Sequence, residues 1–145
     1  MLTTIEKVAL LQDVEWFKQT ETQNLLLIST VAQEVVFEAD TLIYAAGDSP
    51  DAVYLVIDGQ IQLDNAHGQL QKLSYLDSFG MLDLLNNQPH TLSARAITGS
   101  LLLKIDRDSF WTILAGDAGI LKSLLKTLAY RVRKLGEKLA IVTDL

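Results

Sequence analysis

The sequence predicts an α+β fold: N-terminal helices over residues 1–33, a β-roll over 34–105 and two C-terminal helices over 106–142, in a single domain spanning 1–145. Three observations predict it. Short runs rich in β-branched and aromatic residues fill the middle of the chain, with Gly, Asp and Asn punctuating them at regular intervals. Apolar residues at near-helical spacing come before those runs. After Ile105 a helical pattern resumes, opened twice by an aspartate.

In order, Ile5, Val8, Ala9 and Leu11 mark a first helix. Leu25, Leu26 and Ile28 mark a second, starting near Thr20 and Glu21. The strand-like runs are Glu34–Glu38, Thr41–Ala45, Ala52–Ile57, Gln60–Asp64, Gln69–Leu73, Leu92–Ile97 and Leu101–Ile105. Turn signals separate them at Ala46-Gly47-Asp48, Asp58-Gly59, His67-Gly68 and Thr98-Gly99. Strands this short and evenly spaced indicate a sandwich or barrel-like roll. Asp106 is the expected N-cap of a helix over Arg107–Ala115, and Asp117 that of a longer helix beyond it.

Hydrophobic residues make up 49% of the chain, enough for one continuous core. Cysteine is absent, which excludes disulfides, thiolate nucleophiles and cysteine-bound metal, and fits a cytoplasmic location. The longest uncharged stretch, Thr22 to Gln33, is too short to cross a bilayer, so no membrane insertion is expected. Residues 1–120 carry 6 Lys/Arg against 16 Asp/Glu, whereas residues 121–145 carry 6 against 2. An acidic body lacks the broad positive face that polyanions need, so no nucleic-acid partner is expected. The basic end alone could meet an acidic partner.

That end also holds the sharpest periodicity. Leu121, Leu128, Leu135 and Val142 are spaced by seven, with Leu125, Val132 and Leu139 between them, an a/d seam over about three heptads. The simpler reading is a stripe packed on the domain's own core. The sharper one is a seam that joins two copies or grips a helix of a partner or a larger parent chain. Gly136 weakens either by about 1 kcal/mol of helix propensity.

Several motifs point further. Gly47-Asp48, followed by Val53-Tyr54-Leu55-Val56 and Asp58-Gly59, is similar to a Gly-Asp…Tyr-x-Val-x-x-Gly hairpin, and Leu73 to Gly80 to Leu-x-x-Gly-Asp-x-Phe-Gly, with Leu76 in place of the first glycine. Phe79, Gly80, Leu82, Leu84, Leu85, Pro89, Thr91 and Ala96 follow a frame of Phe-Gly-Glu, a short apolar helix and Pro-Arg-Ser/Thr-Ala. Leu103 to Arg107, with Phe110, match an exit strand and helix. Together they resemble the cyclic-nucleotide-binding domain family, which includes catabolite-activator-type regulators, kinase regulatory subunits and gated channels. The resemblance implies a jelly-roll-like, double-stranded β-helix, action through the last helix or within a longer chain, and cAMP or cGMP as ligand.

The ligand chemistry departs from that frame. The family's glutamate, which accepts the ribose hydroxyl proton, is Met81 here; its arginine, which forks onto the phosphate, is His90; its small residue after Thr91 is Leu92. Asp83 adds a negative charge in the first turn of the short helix. Tight binding of cAMP or cGMP is therefore not expected, and no other cofactor is implied. Arg95 is the only nearby cation, and strand alternation should point it away from His90. Were the pocket to take a different small molecule, Met81, Leu82 and Leu92 would line it, with His90 or Thr91 as its polar handle.

The remaining chemistry is sparse. His90 reads as a partly exposed loop histidine rather than a pH-dependent phosphate donor, and His67 as a turn residue. Two such distant histidines make no metal site. Tyr54, Trp16, Phe110 and Trp111 read as packing residues. Asp106 and Asp108 suggest capping, not acid–base catalysis, and no nucleophile motif is present. The expected function is a non-enzymatic regulatory module acting through its C-terminal helices, with a small-molecule sensor or an assembly domain as alternatives.

Overall fold

The computed structural model describes residues 1–68 and 70–139. Helix α1 (Thr4–Leu11) starts at a capping box, in which the Thr3 hydroxyl accepts from the Glu6 N–H and the Glu6 carboxylate from the Thr3 N–H. It buries Val8 and Leu11, but Ile5, grouped with them by spacing, is exposed. A single 3-10 turn, Glu15–Phe17, sends Trp16 and Phe17 into the core. Helix α2 (Thr22–Val31) buries Leu25 and Ile28 and leaves Leu26 exposed.

Among the described residues eight strands follow: β1 (Gln33–Phe37), β2 (Leu42–Tyr44), β3 (Ala52–Asp58), β4 (Ile61–Asp64), β5 (Leu70–Leu73), β6 (Ser78–Phe79), β7 (Ser93–Ala96) and β8 (Ser100–Asp106). They form two four-stranded sheets, ordered β1-β8-β3-β6 and β2-β7-β4-β5, with antiparallel pairing throughout. All seven expected runs are present to within a residue or two; Gln69 lies outside the described residues. The eighth strand, β6, spans two residues, too short for alternation to announce it.

The sheets enclose one apolar cluster and the helices a second. Ala52, Tyr54, Val56, Phe79 and Leu102 meet Tyr44, Ile61, Leu63, Ala94 and Ala96 inside the roll. On the outer face of the first sheet, Val53, Leu55, Leu103 and Ile105 pack with Leu25, Ile28, Phe110, Ile120 and Leu124. Strands β3 and β8 thus supply side chains to both clusters. Leu76, where the resemblance expects glycine, sits at φ +68°, a left-handed conformation that branched side chains resist, and its side chain packs against the outer cluster.

Both expected aspartate caps are present. The Asp106 side chain accepts from the Ser109 N–H at 2.9 Å and opens α4 (Arg107–Gly116), and Asp117 accepts from the Ile120 N–H at 3.0 Å and opens α5 (Ala118–Lys138). The bonds from the Ser109 N–H and hydroxyl hold the Asp106 carboxyl below its ordinary value. Its contribution is therefore full above the usual carboxylate range and is lost as pH falls through that depressed value. Asp106→Ala is expected to cost about 1 kcal/mol, read as a lower melting temperature at pH 7, with the difference shrinking in acid.

Helix α5 corrects the simpler reading of the heptad stripe. Its buried residues are Ile120, Ser123, Leu124, Thr127 and Gly136, not the leucine seam. Leu121, Leu125, Val132, Leu135 and Leu139 are 43–61% exposed, and only Leu128 packs partly on the core. Hydroxyls sit on the buried face because each finds a partner: Ser123 bonds the Ile120 carbonyl and the Thr20 hydroxyl, and Thr127 the Ser123 carbonyl. Val142 lies outside the described residues. Trp111 is also corrected, since it is 41% exposed. No described helix is long and apolar enough to cross a membrane.

Candidate functional site

Helix α3 (Met81–Asn86) leaves β6 through Gly80, whose φ of +87° suits glycine. A side chain there would put its Cβ 2.9 Å from the Ala52 carbonyl oxygen, so the chain passes β3 too closely for anything larger. Asn87, at φ +52°, ends the helix, and the chain returns through Pro89 to His90. The Gly47–Asp48 turn fixes that return: the Gly47 N–H donates to the His90 carbonyl at 2.7 Å, and the His90 N–H to the Asp48 carbonyl at 2.9 Å.

These elements bound a cavity of about 200 Å³. Of the residues singled out in the sequence, Phe79, Gly80, Met81, Leu82, Asp83, Thr91 and Leu92 line it and His90 does not. Leu63 and Leu73 add apolar wall, Tyr44 an aromatic one, and Trp16 with Arg131 complete the rim. Met81 is buried against the outer core, whereas Leu82 is 53% exposed at the cavity edge.

His90 is the main correction. It is 2% exposed, not a partly exposed loop residue. Its ring stacks on Tyr44 with centroids 3.5 Å apart and planes 7° from parallel. Its Nδ1 lies 2.8 Å from Oδ2 of Asp83. A carboxylate only accepts, so Nδ1 is the donor, while the buried Nε2 finds no partner among the described residues. Asp83 therefore does more than repel anions: it fixes the imidazole. The wall offers any ligand a partly exposed carboxylate, with the imidazole held behind Tyr44.

Aromatic packing continues inward. Tyr54 stacks on Phe79 at 5.1 Å, and Tyr44 leans on both at 6.0–6.3 Å. Burial, reinforced by the Asp83 charge, drives the Tyr44 phenol well above its ordinary value. Burial, with Asp51 adding to it, pushes the Tyr54 phenol up to about 12. Both phenols stay neutral donors at physiological pH. Tyr44 escaped the sequence reading because its place beside His90 is set by β2 pairing with β7, not by local pattern.

The cations differ from expectation. Arg95 points away as predicted: it is exposed and donates through Nη1 to the Asp40 carbonyl at 3.0 Å. It is not, however, the only nearby cation, because Arg131 reaches the rim from α5. The Arg131 guanidinium lies 4.0 Å over the Trp16 ring, and Nε donates to Glu15 Oε1 at 2.7 Å. Among the described residues no group of His, Asp and Glu is placed to hold a metal ion.

Residues 34–117 match the sequence profile described as "Cyclic nucleotide-binding domain". A CRP-like cAMP-activated global transcriptional regulator of Mycobacterium tuberculosis is 29% identical over 135 residues, covering 88% of this chain and 60% of its own. Lysophospholipase nte1 of Aspergillus terreus is 29% identical over 119 residues, covering 79% of this chain and 8% of its own. The chain thus spans less than two thirds of these relatives' lengths. In structure it is similar to the N-terminal domain of a transcriptional regulator from Streptomyces coelicolor A3(2), with a TM-score of 0.77 at 21% identity over 93% of this chain and 98% of that one.

Proposed function

The chain belongs to the cyclic nucleotide-binding domain family, and from that premise we propose that it is a non-enzymatic regulatory module that does not hold cAMP or cGMP tightly and acts through its C-terminal helices. The observation that carries this reading is the Asp83–His90 pair. Where the family's arginine would meet a phosphate, this chain places an imidazole stacked under Tyr44 and an aspartate at the cavity wall.

Magnitudes support it. Met81 cannot accept the ribose hydroxyl, which forfeits roughly 1.5–3 kcal/mol. Loss of the arginine partner of a buried phosphate charge forfeits about 2–5 kcal/mol more. Micromolar and millimolar binding differ by only about 4 kcal/mol, so the two losses together span that interval. Asp83 repulsion and Leu92 bulk act in the same direction. Titration calorimetry is expected to give dissociation constants of millimolar or weaker for both nucleotides; a rise in melting temperature at micromolar nucleotide rejects the reading.

The output surface is the exposed stripe of α5. We read Leu121, Leu125, Val132, Leu135 and Leu139 as a seam for a second copy or a helix of a larger parent protein, since charged residues flank an apolar row that its own domain leaves open. Light scattering tests the homodimer: Leu125→Asp is expected to shift a dimer to monomer, and monomers in both samples remove that arm. Leu128, which also packs on the core, is the poorer choice. A sensor of some other small molecule is less favoured, because about 200 Å³ falls below the ~300–1,000 Å³ of such sites. Mass spectrometry of the purified protein for a retained molecule tests that alternative.

A further inference from the structure

We propose that Arg131 is a ligand-independent latch, holding the second half of α5 at the cavity mouth by gripping Glu15 and Trp16. The proposal rests on the preceding reading, for a module that does not hold nucleotide needs another way to fix its last helix.

Helix α5 is attached in two different manners. Its first half is fastened by burial, through Ile120, Ser123, Leu124 and Thr127, with Leu128 partly packed. From residue 129 to 135 every residue is exposed except Arg131. Lys134 fastens nothing to the body, because its partners, Tyr130 and Glu137, lie on α5 itself. Gly136 is buried too but has no side chain to grip with, so the side-chain attachment of this half to the body falls on one guanidinium, which meets two consecutive residues 115 and 116 positions earlier in the chain.

The receiving surface is rigid. Trp16 is 2% exposed and locked in the outer core, so its ring face is a fixed platform. Indole is the strongest aromatic partner for a cation, and a planar guanidinium stacks on it as an ammonium cannot. Glu15 then takes Nε at 2.7 Å, which sets the rotation of the plane. Trp16 and Arg131 also line the cavity, so a molecule entering at that rim must displace or accommodate the latch.

Hydrogen exchange by mass spectrometry on the full chain tests this, comparing the parent protein with Arg131→Gln, Arg131→Lys and Glu15→Gln. In Arg131→Gln, amides of residues 129–138 are expected to exchange on the order of tenfold faster, while those of 118–127 keep their protection. Arg131→Lys and Glu15→Gln should give smaller increases in the same segment. Unchanged exchange at 129–138 in Arg131→Gln overturns the latch, and so does equal acceleration along the whole helix. Adding cAMP to the parent protein tests the earlier reading separately. Extra protection at 129–138 on nucleotide defeats the claim of weak binding, while the Arg131→Gln comparison still decides the latch.

Discussion

Asp83→Ala is expected to destabilise the protein by about 2 kcal/mol, and adding His90→Phe to bring it back within about 1 kcal/mol of the parent. Among the described residues the buried imidazole has one hydrogen-bond partner, and removing Asp83 leaves both ring nitrogens without a protein partner in a side chain that is 2% exposed. Phenylalanine keeps the stack on Tyr44 and removes both orphaned nitrogens together. Replacing two hydrogen-bonded partners with apolar groups is close to neutral, whereas removing one is not. Urea unfolding of both single variants and the double one gives the coupling. Additive losses would mean that the pair is not a unit, and that the cavity wall is organised by something else.

A Gly80→Ala protein should lose about 3 kcal/mol, against about 1 kcal/mol for Gly47→Ala. Both glycines have positive φ, +87° and +95°, so both substitutions meet the same left-handed penalty. They differ in surroundings. A Cβ at Gly47 meets open space, whereas one at Gly80 would stand 2.9 Å from the Ala52 carbonyl, which belongs to a buried strand and cannot yield cheaply. Thermal unfolding measures the difference, and equal losses would show that β6 and α3 shift easily against β3.

The legible and illegible parts of this chain divide by range. Local codes were readable: the aspartate caps at Asp106 and Asp117, the turns at Gly47 and Gly59, and the runs that became seven strands all depend on neighbours a few residues away. The backbone path that brings Phe79 to Asp83, Thr91 and Leu92 to one cavity wall was also readable, because a motif fixes its own local turns. What failed depended on distant partners. Tyr44 reaches His90 across a strand pairing, and Glu15 meets Arg131 across 116 positions, so neither leaves a trace in spacing. The seven-residue period on α5 is real, but the face it marks is the exposed one. Periodicity identifies a face without saying what covers it, and here the covered face carries Ser123 and Thr127.

Strands β3 and β8 hold the aromatic interior with one set of side chains and the helical layer with the alternate set. Their backbone therefore belongs to both compartments at once, and it is buried on each side. A change of shape within the roll, whether from a substitution at Val56 or a shift of Phe79 against Tyr54, is expected to reach Phe110 and Leu124 as displacement, since close-packed matter has little slack to absorb it. One strand's thickness of backbone separates the aromatic interior from the helical layer that holds the last helix.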